Sequence, residues 1–97
     1  MEIYQVEWQP QSIIDLKEIR AYLEEQDAST AIVEKIFDQA NELFYFPARC
    51  RKISSKSDKR ILVVKEYSVF YRIIEGRKLV QIMFVWHHSR DISELDT

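Results

Sequence analysis

Near its C-terminus the chain reads FVWHHSRDI, Phe84 to Ile92, which puts His87, His88, Arg90 and Asp91 at the end of an apolar run. Metal ligation, proton transfer and triad-type nucleophilic catalysis all use residues of these kinds. Metal fits worst. Adjacent residues of a strand point to opposite faces, so His87 and His88 do not meet at one ion. Cys50 is the only cysteine, and no zinc-type spacing of His or Cys occurs, so neither metal nor cofactor is expected. One glycine, Gly76, cannot build a Gly-rich phosphate cradle. Ser89, His87 and Asp91 supply the residue types of a triad, but nothing marks the strained turn that would present a nucleophile.

Proton transfer on RNA fits better. Attack by a 2′-hydroxyl needs a base, an acid for the leaving oxygen, and cations for the charge that builds on phosphorus. Histidine serves either proton role near neutral pH, and Arg or Lys stabilises the charge. His87, His88, Arg90, Arg60, Arg72 and Lys65 are the candidates. Each also has an ordinary reading, as a solvated strand residue or a hydrogen-bonded histidine.

Composition limits the setting. Ninety-seven residues, 46% of them apolar, suffice for a single domain over 1–97 with one modest core. The apolar runs fall far short of the roughly 20 residues that span a bilayer, so no membrane is expected. The opening MEIYQVEWQ is not a secretory signal, and the single cysteine suits a reducing cytoplasm. Charge is divided along the chain. Residues 1–48 hold ten acids and three bases, whereas 49–97 hold eleven bases and six acids. Arg49, Arg51, Lys52, Lys56, Lys59 and Arg60 crowd together with only Asp58 opposing them. Such a patch suits a polyanion or an acidic partner.

The elements that must position these groups follow from periodicity. Tyr4, Val6 and Trp8 alternate with Gln5 and Glu7, as in a half-buried strand. Pro10 fits the start of a helix, where its missing N–H costs nothing. Ile13, Leu16, Ile19 and Leu23 then recur at helical steps to about Gln26. Asp27 and Ser29 offer cap oxygens for a second helix, whose stripe is Ile32, Ile36, Ala40, Leu43 and Phe44, widened by Val33 and Phe37. Pro47 stops it, and the short link makes an antiparallel hairpin. Ala48 to Lys59 reads as a loop. Arg60–Lys65, Tyr67–Ile74 and Lys78–Trp86 read as strands joined by tight turns at Lys65–Glu66 and at EGRK, 75–78, which holds the sole glycine. Parity puts Tyr67, Val69, Tyr71 and Ile73 on one face of the middle strand, and Ser68, Phe70, Arg72 and Ile74 on the other. The class is α+β, ordered β-α-α-β-β-β, with a helical hairpin on a small, mostly antiparallel four-stranded sheet.

The early DLKEI helix (Asp15–Ile19), the second helix ending L-x-x-x-P (Leu43–Pro47), the basic loop ending at Arg60, YSVFYRI (Tyr67–Ile73) and the terminal H-x-x-R-D (His87–Asp91) together resemble the RelE/ParE superfamily of bacterial type II toxins. The resemblance covers nearly the whole chain. It implies a first strand lying beside the last one and an antitoxin partner whose disordered segment folds onto the toxin. Two activities share this fold: ribosome-dependent mRNA cleavage in the RelE-like branch, and poisoning of DNA gyrase in the ParE-like branch.

RelE-like nucleases carry an arginine just after the position of Tyr67, where this chain has Ser68. They carry a cation or imidazole at the end of the last strand, where His88 falls. Their C-terminal aromatic residue is matched only by Ser89. The H-x-x-R-D ending resembles the ParE branch, so a ParE-like toxin acting on gyrase is the expectation. In that reading His87 and Asp91 fix the strand end, while Arg90 and the loop Arg49, Arg51, Lys52, Lys56, Lys59 and Arg60 face a partner. In the RelE-like alternative, His88 is acid or base, with Arg60, Lys59 and Lys52 on the phosphates of ribosome-bound mRNA. A non-toxic binding module of the same fold is the third reading.

Overall fold

The computed structural model describes residues 3–89. Strand β1 (Gln5–Trp8) alternates as its sequence requires, with Val6 and Trp8 half-buried and Gln5 and Glu7 exposed. Helix α1 (Pro10–Glu25) carries Pro10 in its first turn. Helix α2 (Ala31–Asn41) follows a short link in which the Ala31 N–H donates to Ser29 Oγ at 3.1 Å. Asp27, the other expected cap residue, turns the chain with φ 53° instead. Beyond Asn41 the chain tightens into a 3₁₀ turn, Glu42–Phe44. The tighter winding rotates Phe44 off the α2 stripe, so it is exposed where the periodicity places it in the core, while Leu43 is fully buried. Phe37 is likewise largely exposed, although its ring stacks on Trp8 at 5.3 Å.

Strands β2 (Arg60–Val64), β3 (Tyr67–Ile74) and β4 (Leu79–His87) complete a four-stranded sheet in the order β1-β4-β3-β2. Strand β1 runs parallel to β4 and the other pairs are antiparallel, so the first strand lies beside the last. The turn at Lys65 and Glu66 needs a left-handed residue, and Lys65 takes it with φ 54°. The second turn forms where Gly76 marks it, yet its left-handed residue is Lys78 at φ 48°, and Gly76 has no positive φ.

Side-chain parity builds two different faces. Leu62, Val64, Tyr67, Val69, Tyr71, Val80, Ile82 and Val85 meet Leu16, Val33, Ile36, Ala40 and Leu43 from the helices in one core. The outward face is also apolar at its centre: Phe70 stacks on Phe84 at 4.8 Å, and Phe84 meets Trp86 edge-on at 6.5 Å. Pairing of Phe70 with Phe84 and of Tyr71 with Ile82 leaves Met83 as an extra residue, a bulge in β4.

β1 pairs with β4 only as far as Ile82. Past that point the Val85 N–H has lost its strand neighbour, and Asp15 Oδ2 accepts from it at 2.9 Å. A helix carboxylate thus continues the ladder and fixes α1 over the end of β4. Among the described residues no helix is long and apolar enough to cross a membrane.

Candidate functional site

The two histidines separate as strand parity requires. His87 lies in register with Tyr67 on the helix-facing side and meets that ring edge-on at 4.9 Å. Its Nδ1 accepts from the Ser89 N–H at 3.0 Å and lies 2.6 Å from Ser89 Oγ. Acceptance from a backbone N–H at Nδ1 favours the tautomer that carries its proton on Nε2. His88 continues the turn: its N–H donates to the Glu66 carbonyl at 2.8 Å. Its Nε2 lies 2.8 Å from Ser68 Oγ on the outward face. Ser68 is only 5% exposed and sits in register opposite Trp86.

Arg60 lies elsewhere. It pairs with Tyr71, on the helix-facing side in phase with Leu62 and Val64. Its guanidinium donates to the carbonyls of Cys50 at 2.6 Å and Ala48 at 3.3 Å. The buried Tyr71 hydroxyl donates to the Pro47 carbonyl at 2.6 Å. Burial, with Cys50 bonding its side chain, pushes the Tyr71 phenol well above its ordinary range, so it remains a donor. Together Arg60 and Tyr71 pin the segment 47–50 to the sheet. His88 and Arg60, paired in the RNA-cleavage reading, are therefore on opposite faces, His88 by Ser68 at the start of β3 and Arg60 opposite Tyr71 at its middle.

Arg49, Arg51, Lys52 and Lys56 are exposed, and Lys59 is half-buried. Among the described residues the guanidiniums of Arg49 and Arg51 make only long contacts of 3.4 Å, to the carbonyls of Tyr45 and Lys52. Asp58, the loop's one acid, faces Arg72 at 4.0 Å, and Arg72 Nε also donates to Gln81 Oε1 at 2.9 Å. Among the described residues none of the five loop cations pairs with a carboxylate. Immediately before the loop, Phe44, Tyr45 and Phe46 are exposed in succession, and Phe46 is held left-handed at φ 53°. For a bulky residue that conformation is strained by roughly 1–3 kcal/mol. Arg90 and Asp91 lie outside the described residues.

Two hollows flank α1. One, about 460 Å³, opens between the middle of α1 and the end of β4, with Asp15, Glu18, Tyr22, Tyr67, His87 and Ser89 in its wall. The other, about 390 Å³, lies between α1 and α2 and is lined by charges of both signs, Lys17, Arg20, Glu34 and Asp38 among them. Among the described residues no group of three or more His, Cys, Asp or Glu side chains could hold a metal ion.

Sequence reasoning overlooked Asp15, Tyr67 and Ser68 as individual actors. Ser68 did carry a signal, a small polar residue inside an aromatic strand. Asp15 carried none of its own, because its partner is a backbone N–H whose isolation depends on where β1 stops.

Residues 6–92 match the family described as the ParE toxin of the type II toxin–antitoxin system parDE. No curated protein sequence matches the chain. Among solved structures, the chromosomal ParDE system from P. aeruginosa is 20% identical, with TM-score 0.72 over 88% of this chain and 96% of that one. The RelBE2 toxin–antitoxin complex from Mycobacterium tuberculosis is 19% identical, with TM-score 0.71 over 93% of this chain and 97% of that one. The isolated RelE toxin of E. coli is 13% identical, with TM-score 0.68 over 96% of this chain and 93% of that one. At these identities the structures speak for the fold alone, and the fold is shared by both branches.

Proposed function

This chain belongs to the ParE toxin family of type II toxin–antitoxin systems, and we propose that it arrests bacterial growth by binding and poisoning DNA gyrase, without cleaving RNA. The observation that carries this reading is the dispersal of the nuclease candidates. His88 is tied to a buried serine beside Phe70, Phe84 and Trp86. Arg60 is spent on backbone carbonyls of the opposite face. A phosphorane needs cations beside the acid and base, and an aromatic sheet face does not supply them. What the chain does present is contact surface: an exposed aromatic run, Phe44–Phe46, joined to a loop whose cations pair with no carboxylate among the described residues. An acidic antitoxin would cover such a surface, and the same charge would steer the toxin towards an enzyme working on DNA.

His88→Ala tests the dispersal directly. It removes one hydrogen bond, costing about 1 kcal/mol, and should leave DNA cleavage by toxin-treated gyrase within about twofold of the parent. Cleavage of ribosome-bound mRNA by the parent that falls about a hundredfold in this variant, while it still melts cooperatively, would make His88 chemical and overturn the reading.

Phe46→Gly separates stability from function. Relief of the left-handed strain should stabilise the chain by about 1 kcal/mol, seen as a melting temperature higher by roughly 5 °C. Growth arrest should nevertheless weaken, because the exposed ring is lost from the contact surface. A variant both more stable and fully toxic would exclude Phe46 from the interface.

A further inference from the structure

We propose that the hollow between α1 and the end of β4 receives an arginine side chain from a partner protein. Glu18 and Asp15 give its wall two carboxylates, and among the described residues no Lys or Arg lines it. The nearest cations on the same helix, Lys17 and Arg20, line the other hollow, towards α2. Among the described residues the negative charge is thus left without a counterion in the wall. Asp15 is already engaged through both oxygens, by the Val85 N–H and by Gln11 Nε2. Glu18, exposed on the next helical turn, is the free acceptor.

A second feature points to a ligand independently of the charge. Tyr67 is only 6% exposed and lines this hollow, and its hydroxyl, which has no hydrogen-bond partner among the described residues, is not sealed off but open to it. A hydroxyl left open at the edge of an otherwise buried ring is available to water or to a ligand in the hollow. Burial and then the nearby Glu66 raise its pKa, so it is a neutral hydroxyl with its lone pairs available. Tyr22, Tyr67 and the edge-on His87 ring line the remaining wall.

Carboxylate, phenol oxygen and aromatic surface in one recess match a guanidinium better than an ammonium. The planar group stacks on rings and forks two N–H bonds to a carboxylate, whereas an ammonium is compact and holds its water strongly. The recess is far larger than a metal ion requires, and no metal-ligand cluster exists among the described residues. This inference does not depend on whether the toxin's target is gyrase or the ribosome.

The test is an NMR titration of the folded chain with N-acetyl-arginine amide, read at the ring signals of Tyr22, Tyr67 and His87. One saturable site shared by the three rings is expected. Affinity should fall about tenfold for the neutral isostere N-acetyl-citrulline amide and about tenfold in Glu18→Gln, as loss of a charge-assisted bond implies. Tyr67→Phe should weaken binding about threefold while keeping the ring contact with His87. Rings that fail to move together, equal affinity for citrulline, or full affinity in Glu18→Gln would each overturn the proposal. Agmatine, a guanidine without a peptide unit, separates the sources. Comparable or weaker binding supports a protein side chain, and about tenfold tighter binding would make this a small-molecule site and overturn the partner assignment.

Discussion

Replacing Arg49, Arg51 and Lys52 together by glutamate is expected to raise the amount of protein needed to trap cleaved DNA on gyrase by about a hundredfold or more. The expectation follows from exposure and missing counterions. These side chains lie on the surface, their described contacts are long ones to carbonyls, and no carboxylate among the described residues neutralises them. Charge of that kind adds little to folding, so the variant should melt within a few degrees of the parent. In association it matters more, since steering by a one-sign patch changes encounter rates by roughly ten- to a thousandfold and fades with ionic strength. The parent's potency should therefore fall as salt rises, and the variant's should depend on salt far less. Unchanged potency in a folded triple variant would remove the loop from the target interface.

Asp15→Ala is expected to cost about 2 kcal/mol of folding stability. The Asp15 carboxylate is the acceptor for the Val85 N–H where β1 has ended. Truncation leaves that donor half-buried and unsatisfied, for which a loss of about 1.5–3 kcal/mol is usual when the acceptor is charged. In a chain of this length the melting temperature should drop by roughly 10 °C. Asp15→Asn keeps an acceptor oxygen at the same reach and should recover more than half of the loss. Urea denaturation of the three proteins measures this. Equal stability of the alanine variant and the parent would mean that the carboxylate is not what fixes α1 over β4.

This carboxylate also marks the limit of what was legible in the sequence. Element order followed from periodicity, and the strand pairing kept the predicted faces because a one-residue slip would have turned Val69 and Tyr71 out of the core. The place of β1 beside β4 was not in the alternation of residues 3–8 and came from the resemblance. Phe44 was misplaced because helical spacing was extended through a segment that winds as 3₁₀. At the site, the split of His87 from His88 follows from parity alone. Arg60 was open to the same reasoning: it alternates in phase with Leu62 and Val64, which places it on the helix side, away from Ser68 and His88. The hollow beside α1 was not legible, since Glu18, Tyr67 and His87 come from three elements and meet only through the tertiary fold.

The most direct test of gyrase poisoning without RNA chemistry incubates the purified protein with gyrase, ATP and supercoiled DNA, alongside ribosomes translating a defined mRNA. The expected result is DNA cleaved and held on gyrase in proportion to the protein added, with the mRNA intact. Codon-phased cuts in the mRNA, with no gyrase-dependent DNA cleavage, would contradict the account.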